Sequence, residues 1–312
     1  MSNNDSGTLR IGHLSTAYHT SFILMGMHCI EKKLGIKTQW HMSGGGPAIV
    51  SALGRGELDI GYIGLPPVMI GIDKGIDVRC VGGGHVEGTV FIGDAGMKTL
   101  DEVNGDLTAL FAQIEGGTIG CPPSGSIHDV IIRDCLKQSG VCNVSVRNYD
   151  WADLIPEAML DGEIDAAVGT PPLSIAAKNA CNAKIIIPAA QLWPYNPSYG
   201  IIASRKMIDE QPELIEAFLQ IHEDACNLIR HQPERAAAVV ENEVGVMDVD
   251  FIMQAYAISP RYCASLPPEY VQSTMAFVPV LRDMGYISRD LGIGEIFDMR
   301  FVENVHTERA HY

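Results

Sequence analysis

The most constraining feature of this sequence is a pattern that occurs twice, at residues 56–67 and at residues 162–172. Each copy begins with Gly-Glu, an apolar residue and Asp, continues through a short apolar stretch, and ends at Pro-Pro. A short apolar run bounded in this way is typical of a buried β-strand, and prolines end strand pairing because they have no N–H group to donate. The two copies predict two similar α/β lobes, since a solenoid would need more repeats.

Strands and helices alternate around both copies. We predict strands over residues 9–14, 36–41, 58–63 and 78–82, and again over residues 117–121, 144–149, 164–168 and 184–187. Helices are predicted between them, including one over residues 21–33 and one over residues 68–73 that follows the first Pro-Pro pair. This alternation predicts parallel sheets covered by helices. The last third is helical, with helices predicted over residues 212–230, 233–243, 248–257 and 268–284.

Composition limits the class of protein. The chain has 312 residues, of which 46% are hydrophobic and 19% charged, as expected of a globular protein of two domains or of one large one. Its formal net charge of −16 argues against a nucleic-acid partner, because phosphate backbones repel an acidic surface. No apolar run reaches the roughly 18 residues of a membrane span, so we expect no transmembrane segment.

Cysteines and histidines give no metal motif. The eight cysteines are scattered without a CxxC pair, which excludes the usual zinc-ribbon and iron–sulfur spacings, and we interpret most of them as small buried apolar residues. Histidines 13, 19, 28, 41, 85 and 128 fall near predicted strand ends and helix starts, but there is no HExxH. P-loop, dinucleotide and nucleophile-elbow motifs are also absent. We therefore expect no metal, no cofactor and no catalytic group.

Four segments carry a resemblance to a known family. Residues 9–16 read Leu-Arg-Ile-Gly-His-Leu-Ser-Thr, and residues 48–64 read Ala-Ile-Val-Ser-Ala-Leu-Gly-Arg-Gly-Glu-Leu-Asp-Ile-Gly-Tyr-Ile-Gly. Residues 120–126 read Gly-Cys-Pro-Pro-Ser-Gly-Ser, while Pro-Glu-Leu-Ile-Glu-Ala-Phe-Leu at 212–219 precedes His-Gln-Pro-Glu-Arg-Ala-Ala at 231–237. In order and spacing these resemble type II periplasmic binding proteins, in the branch that binds nitrate, alkanesulfonates, taurine and thiamine precursors.

The resemblance implies a fold of two similar three-layer α/β lobes with a ligand cleft between them. Two crossings would join the lobes, near residues 88–93 and 199–203. Lobe I would then comprise residues 1–91, lobe II residues 92–199, and residues 200–312 would return to lobe I and pack their helices on it.

The cleft should be lined by loops outside the carboxyl ends of the strands, where open α/β sheets bind ligands. Glycines allow close approach of a ligand, helix starts offer free N–H groups, and hydroxyls can donate hydrogen bonds. The alternative is that these are ordinary turn and N-cap residues. The predicted ligand-binding residues are Ser15, Thr16, His19, Ser43, Gly44, Gly45, Leu65, Glu87, Ser124, Gly125, Ser126, Thr170 and Tyr195.

The resemblance implies the substrate-binding component of an ABC-type uptake system, monomeric, with a permease as partner. Its ligand would be a small organic or anionic molecule, such as a sulfonate or a thiamine precursor. The alternative is a cytoplasmic enzyme on the same fold, similar to chorismate dehydratase or to the thiamine-pyrimidine synthase, although the adjacent cysteines of the synthase are missing. For a dehydratase, the candidate general bases are His19, His85, Glu87, Asp129 and Asp150.

The cellular location depends on the native start. Residues 1–8 are polar and lack the apolar core of a signal peptide. We expect a cytoplasmic protein if Met1 is the native start, and one on the periplasmic side of the cell envelope if a leader has been removed.

Overall fold

The computed structural model describes residues 7–312, which form ten strands and seventeen α-helices. The strands are β1 (Thr8–Leu14), β2 (Lys37–Ser43), β3 (Ile60–Ile63), β4 (Val78–Val86), β5 (Val90–Gly93), β6 (Thr118–Cys121), β7 (Ser145–Asn148), β8 (Ala166–Gly169), β9 (Lys184–Ile187) and β10 (Pro197–Ser204). The helices are α1 (Thr20–Met27), α2 (Cys29–Leu34), α3 (Gly46–Gly54), α4 (Leu65–Asp73), α5 (Leu107–Phe111), α6 (Ile127–Ser139), α7 (Ile155–Leu160), α8 (Pro171–Cys181), α9 (Ala189–Leu192), α10 (Arg205–Glu210), α11 (Pro212–His231), α12 (Pro233–Val244), α13 (Val249–Ile258), α14 (Pro268–Met275), α15 (Phe277–Asp283), α16 (Ile293–Ile296) and α17 (Arg300–Val305).

The strands form two five-stranded sheets. The first has the order β2-β1-β3-β10-β4 and the second the order β7-β6-β8-β5-β9. We call the first sheet with its flanking helices the first lobe, and the second sheet with its flanking helices the second lobe. All eight strands predicted from the sequence are present, and they confirm the two α/β lobes. The domain boundaries after residues 91 and 199 stay a prediction.

Each sheet also contains one antiparallel strand that the sequence analysis missed. β10 runs antiparallel to β3 and β4, and β5 runs antiparallel to β8 and β9. Both lie in the segments predicted as bare crossings between lobes. The sheets are therefore mixed, because each crossing segment continues as a strand into the sheet it enters.

The two Pro-Pro pairs begin helices, where the sequence analysis had placed only the end of a strand. α4 starts at Leu65 and α8 at Pro171, so in both cases the prolines occupy the first helical turn. The N–H groups of that turn have no partner within the helix, so proline loses nothing there. The prediction of a helix starting only at residue 68 was wrong for this reason.

Two predicted helices are each divided in two. The helix expected over residues 21–33 breaks at His28, whose φ of 52° is left-handed, giving α1 and α2. The helix expected over residues 268–284 breaks after Met275, giving α14 and α15. Pro279 explains the second break, since it cannot donate to the carbonyl four residues earlier and its ring crowds that carbonyl.

The last third packs chiefly on the first lobe, as expected from the sequence. α12 contacts α1, and α17 contacts α11 and β4. Two of these helices also reach the second lobe, α13 at α8 and α15 at α6. Within residues 7–312, no helix is both long and apolar enough to cross a bilayer.

Most of the cysteines are buried in the interior of the protein. Every cysteine is a free thiol, and five of them are buried, at positions 80, 121, 135, 226 and 263. This confirms the interpretation of most cysteines as small buried residues.

Candidate functional site

A cavity of about 40 Å³ lies between the two lobes. Its walls are the segments that follow β1, β2 and β3 in the first lobe and β6, β7 and β8 in the second. These are the carboxyl ends of the parallel strands, the edge at which open α/β sheets bind ligands. The lining residues are Leu14, Ser15, Thr16, Tyr18, His19, Gly44, Gly45, Gly46, Gly64, Pro67, Pro122, Pro123, Ser126, Ile127, His128, Ala152, Thr170 and Ser198.

Five helices begin at this cavity. Their N-cap residues all belong to the lining: His19 for α1, Gly45 for α3, Gly64 for α4, Ser126 for α6 and Thr170 for α8. Each of these helices has at least eight residues. The positive end of each helix dipole faces the cavity, and free first-turn N–H groups attract anions. The first turns of α3, α4 and α8 contain prolines, which have no N–H group, so these three helices offer fewer backbone donors than α1 and α6. The lining contains no lysine or arginine, so its attraction for an anion rests on helix dipoles and neutral donors.

The polar side chains at these helix starts differ in what they already bind. The Ser126 hydroxyl accepts a hydrogen bond from the backbone N–H of Asp129 at 3.3 Å. Thr170 makes no such capping bond, although it occupies the same position on α8. The Nδ1 atom of His19 is buried and has no hydrogen-bond partner. Thr170 and His19 thus retain hydrogen-bonding capacity at the cavity.

The two histidines of the lining are uncharged at neutral pH. Burial lowers the pKa of His128 to about 4, and burial, followed by repulsion from His85, lowers the pKa of His19 well below its ordinary value. The Nδ1 atom of His128 lies 3.0 Å from the hydroxyl of Thr89. No residue of the lining is Asp, Glu, Lys or Arg.

The lobes touch around the cavity. Ser15, after β1, donates a hydrogen bond to Oδ2 of Asp153 in the second lobe at 2.8 Å. A Cβ atom on Gly44 would lie 2.3 Å from the carbonyl oxygen of Asp150, and one on Gly45 would lie 2.7 Å from Pro123 Cγ. Only glycine permits this approach, so the two lobes are in direct contact at Gly44 and Gly45.

Seven of the thirteen predicted ligand-binding residues line the cavity, namely Ser15, Thr16, His19, Gly44, Gly45, Ser126 and Thr170. The other six do not: Ser43, Leu65, Glu87, Ser124, Gly125 and Tyr195. Ser43 is the last residue of β2, and Leu65 is fully buried as the first residue of α4. The role of all thirteen in ligand binding stays a prediction.

Glu87 and Tyr195 lie in the two crossings between lobes, and they bind each other. Oε1 of Glu87 accepts hydrogen bonds from the backbone N–H of Tyr195 at 3.0 Å and from Arg261 at 3.1 Å. Both residues have a left-handed backbone, with φ of 61° and 55°. Their contact joins the two crossings, and neither residue belongs to the cavity lining.

Ser124 and Gly125 are occupied by a different contact. The Ser124 hydroxyl lies 2.9 Å from the hydroxyl of Tyr286, and the N–H of Gly125 donates to Asp129 at 3.0 Å. Tyr286 also donates to Asp129, which is completely buried. These residues hold the start of α6 against the C-terminal third.

Lining residues outside the predicted set include three with polar side chains, Tyr18, His128 and Ser198. His128 lies in the first turn of α6, so extending the predicted loop into the following turn would have included it. Ser198 lies on β10, and the Oγ atom is 2.5 Å from the hydroxyl of Tyr18. No local signal identifies it, since the antiparallel pairing of β10 brings it to the cavity.

Of the five candidate general bases, His19 alone belongs to the lining, among the residues that the structure describes. Glu87 and Asp129 serve the contacts described above. His85 is fully buried, with Nε2 at 2.7 Å from the carbonyl oxygen of Ser259. Among the described residues, the lining thus brings together two histidines, His19 and His128, and no carboxylate.

Known structures with this architecture include three binding proteins. The ligand-binding component of an ABC-type import system from Staphylococcus aureus, with zinc bound, has a TM-score of 0.80 at 15% identity and covers 97% of this chain and 100% of its own. The periplasmic aliphatic sulphonate binding protein SsuA of Escherichia coli has a TM-score of 0.77 at 18% identity, covering 94% and 92%. The periplasmic nitrate-binding protein NrtA of Synechocystis PCC 6803 has a TM-score of 0.77 at 13% identity, covering 96% and 88%.

Sequence comparison gives the family. A protein of Brucella abortus (strain 2308), provisionally named a binding protein, is 25% identical over 244 residues, which are 75% of this chain and 71% of the relative. The model of the NMT1-like family matches residues 2–242, most of the chain. The chain therefore belongs to the NMT1-like family and has the two-lobed fold of the type II periplasmic binding proteins.

Proposed function

We propose that this protein is the substrate-binding component of an ABC-type importer, and that it closes its lobes on a small ligand carrying an oxyanion such as a carboxylate or sulfonate. A permease is then its protein partner. The observation that carries the proposal is the convergence of five helix N-termini on one cavity between the lobes. Such N-termini attract anions through the helix dipole and, where the first turn holds no proline, through backbone N–H groups.

The uncharged lining supports a compact ligand bound by hydrogen bonds. A neutral imidazole can donate through one nitrogen, and the free Thr170 hydroxyl can donate as well. Since these donors surround a volume of about 40 Å³, the enclosed part of the ligand is small. The structural neighbours named for aliphatic sulphonate and for nitrate have small anions as ligands, which supports the same chemical class.

Matched pairs of small ligands test the proposal. Ethanesulfonate, acetate and nitrate are compared with acetamide and ethanol by thermal shift and by calorimetric titration. A ligand that binds only the folded state stabilises it by RT ln(1 + [L]/Kd), about 2.7 kcal/mol at a hundredfold excess over Kd. We expect at least one oxyanion to raise the melting temperature and the neutral compounds to leave it unchanged. Equal shifts from the neutral compounds would overturn the assignment of the ligand as an oxyanion. If none of the compounds shifts the melting temperature, the proposed binding of small oxyanions is overturned.

The Thr170→Val variant tests the site. Since the Thr170 side chain makes no capping bond, its loss should leave the stability of the ligand-free protein nearly unchanged. We expect the affinity for the oxyanion to fall about tenfold, equivalent to about 1.4 kcal/mol. The matched control is Ser204→Ala, which removes the cap of α10 outside the cavity lining. It should cost about 1 kcal/mol of stability and leave the affinity unchanged. An unchanged affinity in Thr170→Val contradicts the assignment of this helix start to the ligand site.

A further inference from the structure

A group of metal-type donors lies away from the cavity, at the C-terminal end of the first lobe. Glu223 of α11, His306 directly after α17, and His311 place one donor atom each within 4.8 Å of one another. The Sγ atom of Cys263 lies 3.2 Å from Nε2 of His306, and Oε1 of Glu223 lies 3.9 Å from the same nitrogen. None of these four residues lines the ligand cavity.

The surrounding structure fixes the Glu223 carboxylate in place. Its Oε2 accepts a hydrogen bond from the N–H of Ala264 at 2.7 Å, and its Oε1 accepts one from Arg230 at 2.6 Å. The side chains of Glu223 and His306 are only 6% and 4% exposed. Two of the donors are therefore held rigidly, which is what a metal site requires of its ligands.

The distances come close to those around a tetrahedral ion. Bonds of about 2.0–2.3 Å from zinc to nitrogen, oxygen and sulfur give a tetrahedron with edges of about 3.3–3.8 Å. The 3.2 and 3.9 Å separations at His306 lie just outside the two ends of that range. The Sγ atom of Cys263 is not among the donor atoms that lie within 4.8 Å of one another, so the Cys263 side chain has to shift to complete the tetrahedron. Thiolate and imidazole donors select zinc-like ions over Mg²⁺ and Ca²⁺, which prefer oxygen ligands.

The charges permit a divalent ion beside Arg230. On binding, the thiol of Cys263 releases its proton to solvent, and the thiolate and the Glu223 carboxylate then offset the charge of the ion. The Arg230 guanidinium leaves one surplus positive charge, and the carboxylate oxygen that it contacts keeps a second lone pair for the metal. The His311 side chain is 35% exposed, so solvent reaches this edge of the group and gives the ion a path of entry.

We propose that Glu223, Cys263, His306 and His311 form a binding site for one divalent ion of the zinc type. The ion would tie the C-terminal segment to α11 and to the chain around Cys263. The sequence motifs could not indicate this site, because its ligands come from three distant segments of the chain.

Metal titration of the untagged protein tests this site. After dialysis against EDTA, the protein is titrated with ZnCl₂ by calorimetry and with CoCl₂ by absorption spectroscopy. We expect one ion per chain, a higher melting temperature with zinc, and a sulfur-to-cobalt charge-transfer band from the Cys263 ligand. Binding of cobalt without that band would overturn the role of Cys263, and binding of neither ion would overturn the site.

The variants His306→Gln and His311→Gln locate the ion, with His41→Gln as the matched control at an exposed histidine of β2. Loss of a residue that only hydrogen-bonds to a metal ligand weakens metal affinity by about tenfold. Loss of a direct ligand should therefore weaken zinc binding by more than that. The control should bind as the wild type does. Since His311 is partly exposed, its variant should remain folded without metal, which circular dichroism checks. Equal zinc affinity in all three variants would place the ion elsewhere and overturn the proposal.

Discussion

Three buried histidines stand out at the scale of single residues. Burial lowers the pKa of His85 to about 3, and those of His128 and His222 to about 4. A buried imidazolium would lose its hydration, so the folded protein keeps these rings neutral and hydrogen-bonded. His222 shows the arrangement, with Nδ1 at 2.9 Å from the Thr20 hydroxyl and Nε2 at 3.1 Å from the carbonyl oxygen of Gly83.

These histidines predict a loss of stability in mild acid. Their pKa is about 6.5 in the unfolded chain, so the unfolded state takes up protons first as the pH falls. The full stability is present above pH 6.5 and is lost as the pH falls towards 4, by up to about 1.4 kcal/mol per pH unit for each group. Urea unfolding at several pH values measures this slope. In His128→Gln the slope should decrease by the contribution of one histidine, whatever the variant's stability. An unchanged slope in His128→Gln would contradict the neutral buried state of that ring.

The order of strands in the sequence was enough to predict part of the cavity lining. Ser15, Gly44 and Thr170 were identified because loops after parallel strands meet at one sheet edge, and this rule needs only the order of strands. Ser124 fits the same rule, but its hydroxyl contacts that of Tyr286, which is more than 150 residues away in the sequence. Such long-range partners leave no mark on the local pattern.

At the scale of elements, the contact between α6 and the segment after α15 joins the second lobe to the C-terminal third. The buried Asp129 carboxylate accepts hydrogen bonds from Gly125, Arg133, Asn148 and Tyr286, at distances of 2.5–3.0 Å. Lys137 of α6 adds an exposed ion pair with Asp283 at the end of α15, and exposed pairs of this kind contribute little. The Tyr286 hydroxyl is thus the main polar link.

Removal of this hydroxyl should be measurable. We expect Tyr286→Phe to lower the free energy of unfolding by about 1–2 kcal/mol, because a buried carboxylate loses one of its donors. Tyr149→Phe is the matched control, since the buried hydroxyl of Tyr149 has no hydrogen-bond partner. It should leave the stability unchanged or slightly higher. If urea denaturation gives the same midpoint and slope for both variants, the Tyr286 hydrogen bond contributes nothing.

The elements themselves were largely predictable, and the exceptions have local causes. The strands β5 and β10 were missed because they continue the crossings and pair antiparallel inside each sheet. His28 and Pro279 divide two helices whose apolar patterns run through the break. The spacing of apolar residues indicates which face of a helix is buried, but it does not indicate where the helix is interrupted.

At the scale of the whole molecule, glycines set how closely the lobes approach. Gly44 and Gly45 lie against Asp150 and Pro123 of the opposite lobe, where a Cβ atom would overlap backbone or ring atoms. Neither glycine has a positive φ, so alanine is compatible with the backbone at both positions. A methyl group there obstructs closure without straining its own lobe.

Gly44→Ala should therefore hold the lobes apart. We expect weaker binding of the oxyanion, a larger radius of gyration in small-angle X-ray scattering with ligand present, and an almost unchanged melting temperature without ligand. Gly294→Ala is the control, since nothing lies within 4 Å of its Cβ position and its φ is not positive. A Gly44→Ala protein that binds ligand and compacts like the control would show that closure does not use this contact.

The position of β10 has a consequence for the folding of this chain during its synthesis. It is an inner strand of the first sheet, between β3 and β4, although residues 87–196 separate it from β4 along the sequence. The second sheet uses only the consecutive strands β5–β9. Because a ribosome delivers the chain from its N-terminus, the second sheet has all its strands once residue 187 has emerged. The edges of β3 and β4 that pair with β10 stay unpaired until residue 204 has emerged. The lobe whose synthesis begins first is therefore the last that can be completed.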